Sequence, residues 1–162
     1  KTEVDGVAVG LVDGDGVAQA VDRLAGPSGQ TRLLVEEYVG DAVAELLIDI
    51  RREPPVGWLL TLGSGGRLAE VAADVVSLIL PVGPAEVTEA LQRLAVWPLL
   101  AGHRGGPAAD LDAIVEVVIR LQRLVTDRPE LVEVEINPLL ARPSGAIAVD
   151  ALVTVDDFAV VD

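Results

Sequence analysis

Near its C-terminal end the chain reads Glu135-Ile136-Asn137-Pro138-Leu139-Leu140, turns at Arg142-Pro143-Ser144-Gly145, and returns through Ala146-Ile147-Ala148-Val149-Asp150. Side chains alternate along a strand, so Glu135 and Asn137 share one face and Ile136 takes the other. With Pro143 and Ser144 at the centre of a tight turn, Asn137 stands directly opposite Asp150, their side chains roughly 5 Å apart on one face. Apolar neighbours (Val132, Val134, Ile136, Leu139, Ile147, Val149) predict partial burial, where an unpaired carboxylate is costly. Two carboxylates and an amide oxygen suit Mg²⁺, which takes one or two carboxylates and completes its shell with waters and substrate phosphates. An ordinary hairpin with a polar, solvent-facing side has the same spacing, so spacing alone leaves both readings open.

Two further stretches have types and spacing that chemistry uses. Gly63-Ser64-Gly65-Gly66 is predicted to follow a strand and precede a helix, where backbone amides and a helix N-terminus can cradle an anion. It lacks the Gly-Lys-Ser/Thr of a Walker loop and the spacing of a dinucleotide fingerprint, and taken alone it reads first as a turn. Leu34-Val35-Glu36-Glu37-Tyr38-Val39, if extended, offers backbone amides and carbonyls to an adenine edge and an acidic side chain to ribose hydroxyls. By itself it reads as an amphipathic strand. His103, the single histidine, has no second histidine for a zinc site and no serine placed to use it as a base.

Composition restricts the classes of function. The 162 residues are 51% hydrophobic, with mean hydropathy +0.46, enough for a sizeable core and too apolar for disorder in the bulk of the chain. The longest apolar runs, such as Val75 to Leu80, are far short of a membrane span, and no basic-then-apolar leader is present. With no cysteine, disulfides and thiolate chemistry are excluded and a cytoplasmic location is the default. A start at Lys1 without methionine reads as either a processed protein or a piece excised from a longer chain. Net charge of −14 and a pI near 4.3 argue against nucleic acid and anionic membrane, because Arg51-Arg52 is the only pair of adjacent arginines.

The elements that must position these residues alternate in type. The pattern predicts strands over Val7–Val12, Thr31–Val39, Ala42–Arg51, Trp58–Leu62 and Val75–Leu80, with a helix over Gly16–Leu24 and loops at Gly26-Pro27-Ser28-Gly29 and Glu53–Gly57. Gly40-Asp41 reads as a hairpin turn between the second and third strands, and a short helical segment is expected after Gly66. One helix opens at Pro84 with Glu86 in its first turn. Another begins at Asp110, places Leu111, Ile114, Val115, Val118, Leu121 and Val125 on one face, and ends at Asp127-Arg128-Pro129. The fold class expected is α+β: one domain over residues 1–162, a mostly antiparallel sheet with helices packed on one face.

In this order the pieces resemble the later part of the ATP-grasp domain, or beta subunit, of ADP-forming acyl-CoA synthetases, related to the beta subunit of succinyl-CoA synthetase. The matching stretches are Lys1 to Val7, Val35-Glu36-Glu37-Tyr38-Val39, Glu45 through Pro54, Gly63 to Gly66 with Glu70 and Asp74, Leu99 to Gly105, Leu124 to Asp127, and Glu135-Ile136-Asn137-Pro138-Leu139 with Asp150. The resemblance covers nearly the whole chain. It implies an ATP-grasp C-terminal subdomain whose first subdomain lies outside this sequence. It also implies a reaction that converts acyl-CoA, ADP and phosphate to acid, CoA and ATP through a phosphohistidine on a CoA-binding domain or subunit. Glu36, Glu37 and Val39 would meet adenine and ribose. Asn137 and Asp150 would ligate Mg²⁺ beside the nucleotide, ATP or ADP, with Glu135 as ligand or neighbour. His103 falls where the family tolerates various residues and receives no role.

Departures from the family pattern share one sign. The family usually has Gly-Gly at Asp5-Gly6, glycine at Asp49, lysine at Ala73, arginine at Leu78 and a basic residue at Leu152. Each change makes the surroundings of a polyphosphate more negative or less positive. Two functional expectations follow: a working Mg²⁺-nucleotide site of a synthetase, or a degenerate regulatory domain of the kind fused to GNAT-type protein lysine acetyltransferases, with nucleotide binding weakened or lost. In a third, the hairpin is only scaffold.

Overall fold

Between Ala44 and Ile50 alternate residues are apolar and buried (Ala44, Leu46, Ile48, Ile50), which is the mark of a strand with one face on a core. This strand, β1 (Ala44–Glu53), forms a hairpin with β2 (Gly57–Ser64), and β2 pairs in turn with β3 (Val75–Ile79). On its other side β1 pairs with β4 (Leu131–Ala141), and β4 pairs with β5 (Ala146–Ala148) and β6 (Ala151–Val155). All pairings are antiparallel, in the order β3-β2-β1-β4-β5 with β6 also on β4. The structure, a computed structural model, describes residues 6–28, 32–66 and 74–156.

Two compact units divide the chain, Lys1–Gly40 and Asp41–Asp162. In the first, helix α1 (Gly14–Ser28) starts earlier than expected because the Asp13 carboxylate accepts the Gly16 N–H at 2.8 Å, capping the helix there. It also runs on through Gly26-Pro27-Ser28, which the sequence pattern assigned to a loop; Gly29 lies outside the described residues. Neither the strands expected over Val7–Val12 and Thr31–Val39 nor the hairpin at Gly40-Asp41 is formed among the described residues of those stretches. Val9, Val12, Leu34, Val35 and Tyr38 are exposed. A strand needs a neighbour for its backbone groups, and alternating apolar residues alone do not supply one.

In the second unit the helices cover one face of the sheet. Helix α2 (Pro84–Gln92) has Pro84 in its first turn, and Glu86 accepts the Gly83 N–H at 2.8 Å, as the sequence led one to expect. A short α3 (Trp97–Leu100) follows, then α4 (Leu111–Asp127), capped by Asp110, whose Oδ1 accepts the Ala113 N–H at 3.1 Å. Val87, Ala90 and Leu91 of α2 and Ile114, Val115, Val118 and Val125 of α4 bury against Leu46, Ile48, Ile50, Leu60, Leu62, Val134 and Leu139 of the sheet. Leu111 and Leu121 are half-buried on the same core. Burying a Leu or Ile side chain contributes about 1.5–3 kcal/mol, so this one face supplies most of the driving force for folding. None of the described helices is long and apolar enough to cross a membrane.

Asp74 ties the sheet to the helical layer. Its carboxylate accepts the Ser64 hydroxyl at 2.6 Å, the Ala95 N–H at 2.8 Å and the Val96 N–H at 3.3 Å. Burial pushes its pKa up, but these three donors outweigh it and hold the carboxyl below the usual value. Gly65 is needed for a steric reason: a Cβ there would sit 2.7 Å from the Leu46 backbone, while its N–H bonds the Glu45 carbonyl at 2.7 Å.

Asp74→Ala is expected to cost about 2–4 kcal/mol in urea denaturation at pH 7. Because the folded pKa is depressed, the stabilisation is complete above the unfolded value of about 3.9 and fades as pH falls through the lower folded value. The gap between wild type and variant should therefore narrow in acid. Gly65→Ala is expected to destabilise by about 1–3 kcal/mol, read in the same denaturation assay, because the added methyl meets backbone that has no room to yield.

Candidate functional site

The hairpin forms in the expected register. Leu139 pairs with Ala148, Leu140 with Ile147 and Ala141 with Ala146, which sets Asn137 opposite Asp150, and the Asn137 N–H bonds the Asp150 carbonyl at 3.2 Å. The turn is fastened from outside. Gly145 N–H donates to Asp110 Oδ2 at 2.9 Å, Asp110 N–H donates to the Arg142 carbonyl at 2.8 Å, and Arg142 makes a two-pronged ion pair with Asp41 at 2.7 and 2.8 Å. The N–H groups of Gly145 and Ala113 hold the Asp110 carboxyl below its ordinary pKa, so it stays an acceptor through the neutral range.

Pro138 sits inside a strand that is paired on both sides, where its missing N–H would leave a gap in the ladder. The strand accommodates it with a bulge: Leu46 pairs with Leu139 but Ile48 pairs with Ile136, so β4 has one residue more than β1 across this step. A bulge re-aims side chains, and this one lies at Asn137 and Pro138.

Glu135, Asn137 and Asp150 are brought together. With Ala151 and Leu152 they line a shallow cavity of about 210 Å³. Glu135 and Asn137 are half-buried and Asp150 is exposed, so burial is shared unevenly among the three. The glycine segment also reaches this place: Gly66 N–H points to Asn137 Oδ1 at 3.4 Å, and Gly66 holds a positive φ of 62° that an L side chain rarely adopts. Carboxylates, an amide oxygen and a backbone donor are the groups that a hard cation and a phosphate use together. The cavity is smaller than the roughly 300–1,000 Å³ of a complete small-molecule pocket, a size for a cation and the tail of a ligand.

Glu36, Glu37 and Val39 belong to the first unit, where they lie in an irregular segment, the two glutamates exposed and Val39 half-buried. His103 is exposed in a short 3-10 turn (His103–Gly105) beside a separate cavity of about 310 Å³ that also takes in Asp41, Leu99 and Pro107. Of the positions that depart in charge, Leu152 lines the candidate cavity, whereas Leu78 packs on the core and does not face it. Asp5 and Ala73 lie outside the described residues.

Sequence reasoning missed one grouping. Asp49 of β1 stands opposite Glu135 of β4, and oxygen atoms of Asp49, Glu133 and Glu135 all lie within 4.8 Å of one another. Asp49 is only 7% exposed. Its burial, with the charges of Glu133 and Glu135 and against that of Arg51, pushes its pKa up to about 6. The signal available was the run Glu45-Leu47-Asp49-Arg51 on one strand face, but the partner strand that completes the group lies far along the chain.

Comparison with known proteins agrees with this architecture. Residues 1–155 match the ATP-grasp domain family. An ADP-forming acetate–CoA ligase I of Archaeoglobus fulgidus is 31% identical over 156 residues, covering 93% of this chain and 23% of that protein. The beta subunit of an ADP-forming acetate–CoA ligase I of Pyrococcus furiosus is 31% identical over 107 residues, covering 66% of this chain and 46% of the subunit. The chain thus spans about a quarter of the first relative and under half of the second. Among solved structures, the dinucleotide forming acetyl-coenzyme A synthetase 1 of Ca. Korarchaeum cryptofilum superimposes with a TM-score of 0.81 at 28% identity, over 96% of this chain and 70% of that one. That protein was solved with coenzyme A and Mg-AMPPCP, its phosphohistidine segment pointing towards the nucleotide binding site. With its antiparallel sheet, one-sided helical layer and sequence matched from residue 1 to residue 155, the chain belongs to the ATP-grasp domain family.

Proposed function

We propose that this chain is the Mg²⁺-nucleotide-binding part of an ADP-forming acyl-CoA synthetase, with Asn137 and Asp150 as metal ligands and Glu135 as a third ligand or their neighbour. The observation that carries this reading is the convergence of Glu135, Asn137 and Asp150 on one small cavity, with the Gly66 N–H on the Asn137 amide oxygen. The donor set fits the ion: two carboxylates and an amide oxygen, with room left for water and phosphate. When bound, Mg²⁺ would neutralise phosphate charge and orient the phosphates for transfer. The chain's own groups do the rest. The Asp110 and Arg142 bonds hold the hairpin register, the bulge aims the Asn137 amide, and the Gly66 N–H donates to the amide oxygen. Glu36, Glu37 and Val39 would meet adenine and ribose once the whole nucleotide site is assembled with the first ATP-grasp subdomain. The phosphoryl group would come from a phosphohistidine on a CoA-binding domain or subunit, not from His103, which lies in its own exposed turn. By this reading the 162 residues are inactive alone.

A second reading is favoured by one specific observation. Leu152 is apolar, and the cavity is lined by two carboxylates and no basic residue among those described. A triphosphate meeting that surface would gain little charge compensation beyond the metal. This would suit a regulatory synthetase-like domain, such as those fused to GNAT-type acetyltransferases, that has kept ligand geometry and lost turnover.

Calorimetric titration of the full-length protein with MgADP and MgATP separates the two. The synthetase reading predicts micromolar binding that weakens by at least about tenfold in Asn137→Ala and Asp150→Ala. Absence of binding by the wild type would overturn it and leave the regulatory reading.

A further inference from the structure

The outward face of the central strand pair holds a group of carboxylates of which the nucleotide reading uses only Glu135. Asp49 projects from β1 between Leu47 and Arg51, directly across from Glu135, while Glu133 pairs in register with Arg51. Oxygens of Asp49, Glu133 and Glu135 lie within 4.8 Å of one another, close enough for one ion to touch all three. Glu133 and Glu135 are half-buried, but Asp49 is more than nine-tenths buried, and its Oδ1 is enclosed with no hydrogen-bond donor among the described residues. A buried carboxylate oxygen without a donor is expensive to keep, and two more carboxylates beside it raise the cost.

The cation nearest in the sheet does not relieve this. Arg51 exerts a favourable charge on Asp49, but its Nε lies 3.4 Å from Glu53 Oε2 and the side chain is half-exposed. It offers Oδ1 no hydrogen bond. A divalent ion would neutralise two of the three negative charges and supply the missing partner in one step. All ligands being oxygen, the ion would be a hard one.

We propose that Asp49, Glu133 and Glu135 form a second cation site, for a hard divalent metal ion such as Mn²⁺, on the face of β1 and β4 next to the Asn137–Asp150 cavity. Glu135 borders both positions. Bound there, the ion would cross-link the two central strands and offset the negative charge of this face without any nucleotide. The site does not rest on the nucleotide reading, because none of its groups needs a phosphate to be satisfied.

Electron paramagnetic resonance titration of the whole chain with Mn²⁺ at pH 7.5, nucleotide absent, tests it. Wild type should bind one Mn²⁺ saturably, and Asp49→Asn and Glu133→Gln should each weaken that binding by at least about tenfold, whereas Asp150→Ala should leave it within about twofold. A parallel melting experiment guards against misfolding: Mn²⁺ should raise the Tm of wild type and Asp150→Ala and leave that of Asp49→Asn unmoved. No saturable Mn²⁺ binding by the wild type, or equal affinity in Asp49→Asn, would overturn the proposal. So would loss of binding in Asp150→Ala with Asp49→Asn unaffected, which would place the ion at the hairpin cavity and uphold the nucleotide reading instead.

Discussion

Leu46 lies opposite Leu139 and Asp49 opposite Glu135 because β1 and β4 pair antiparallel in the middle of the sheet, and the rest of the second unit is attached to that pair. One face of it supplies Leu46, Ile48, Ile50, Val134 and Leu139 to the core beneath α2 and α4. The other face carries Glu45, Asp49, Glu133, Glu135 and Asn137. On one side β2 and β3 extend the core face with Leu60, Leu62, Val76 and Leu78. A single register thus fixes both the packing that makes the unit stable and the spacing of its oxygen ligands. Shifting it by one residue would exchange the two faces.

The bulge at Asn137 and Pro138 is where this register gives way, and it lies at the candidate site. A proline in a doubly paired strand needs such an interruption, and the interruption turns the asparagine amide toward Asp150 and Gly66. The outside fastenings matter for the same reason. Asp110 holds the start of α4 to the hairpin turn, Arg142 holds the turn to Asp41, and Asp74 holds the end of β2 to the segment after α2. Each fastens a part of the site through a charged acceptor with backbone, hydroxyl or guanidinium donors, the class of hydrogen bond that contributes most. The site's ligands therefore stand on a central strand, β4, and on the returning arm of its hairpin.

What was legible in the sequence was local. Asn137 and Asp150 are joined by a short turn, so the alternation of one hairpin was enough to set them face to face. Pro84, Glu86 and Asp110 announced their helices by capping chemistry, and the apolar spacing of α4 gave its buried side. The stretches Val7–Val12 and Thr31–Val39 alternate as strands do, but pairing depends on a neighbour, and alternation does not reveal whether one exists. The Asp49–Glu133–Glu135 group was hidden for a related reason: it joins strands separated by about half of the chain, and Asp49, set against the glycine that the resemblance implies, could be read only as a change of charge. The convergence of Gly66 on Asn137 was equally non-local, and turned a segment that read as a turn into part of the site.

The central claim, that Asn137 and Asp150 hold the metal of a bound nucleotide, is tested most directly by anomalous diffraction from crystals of the full-length protein grown with Mn²⁺ and ADP. The account predicts a metal peak at a coordination distance of about 2.1–2.3 Å from Asn137 Oδ1 and an Asp150 carboxylate oxygen, with ADP phosphate completing the shell. Nucleotide bound with its metal away from both residues, or crystals that take up Mn²⁺ and no ADP, would contradict it.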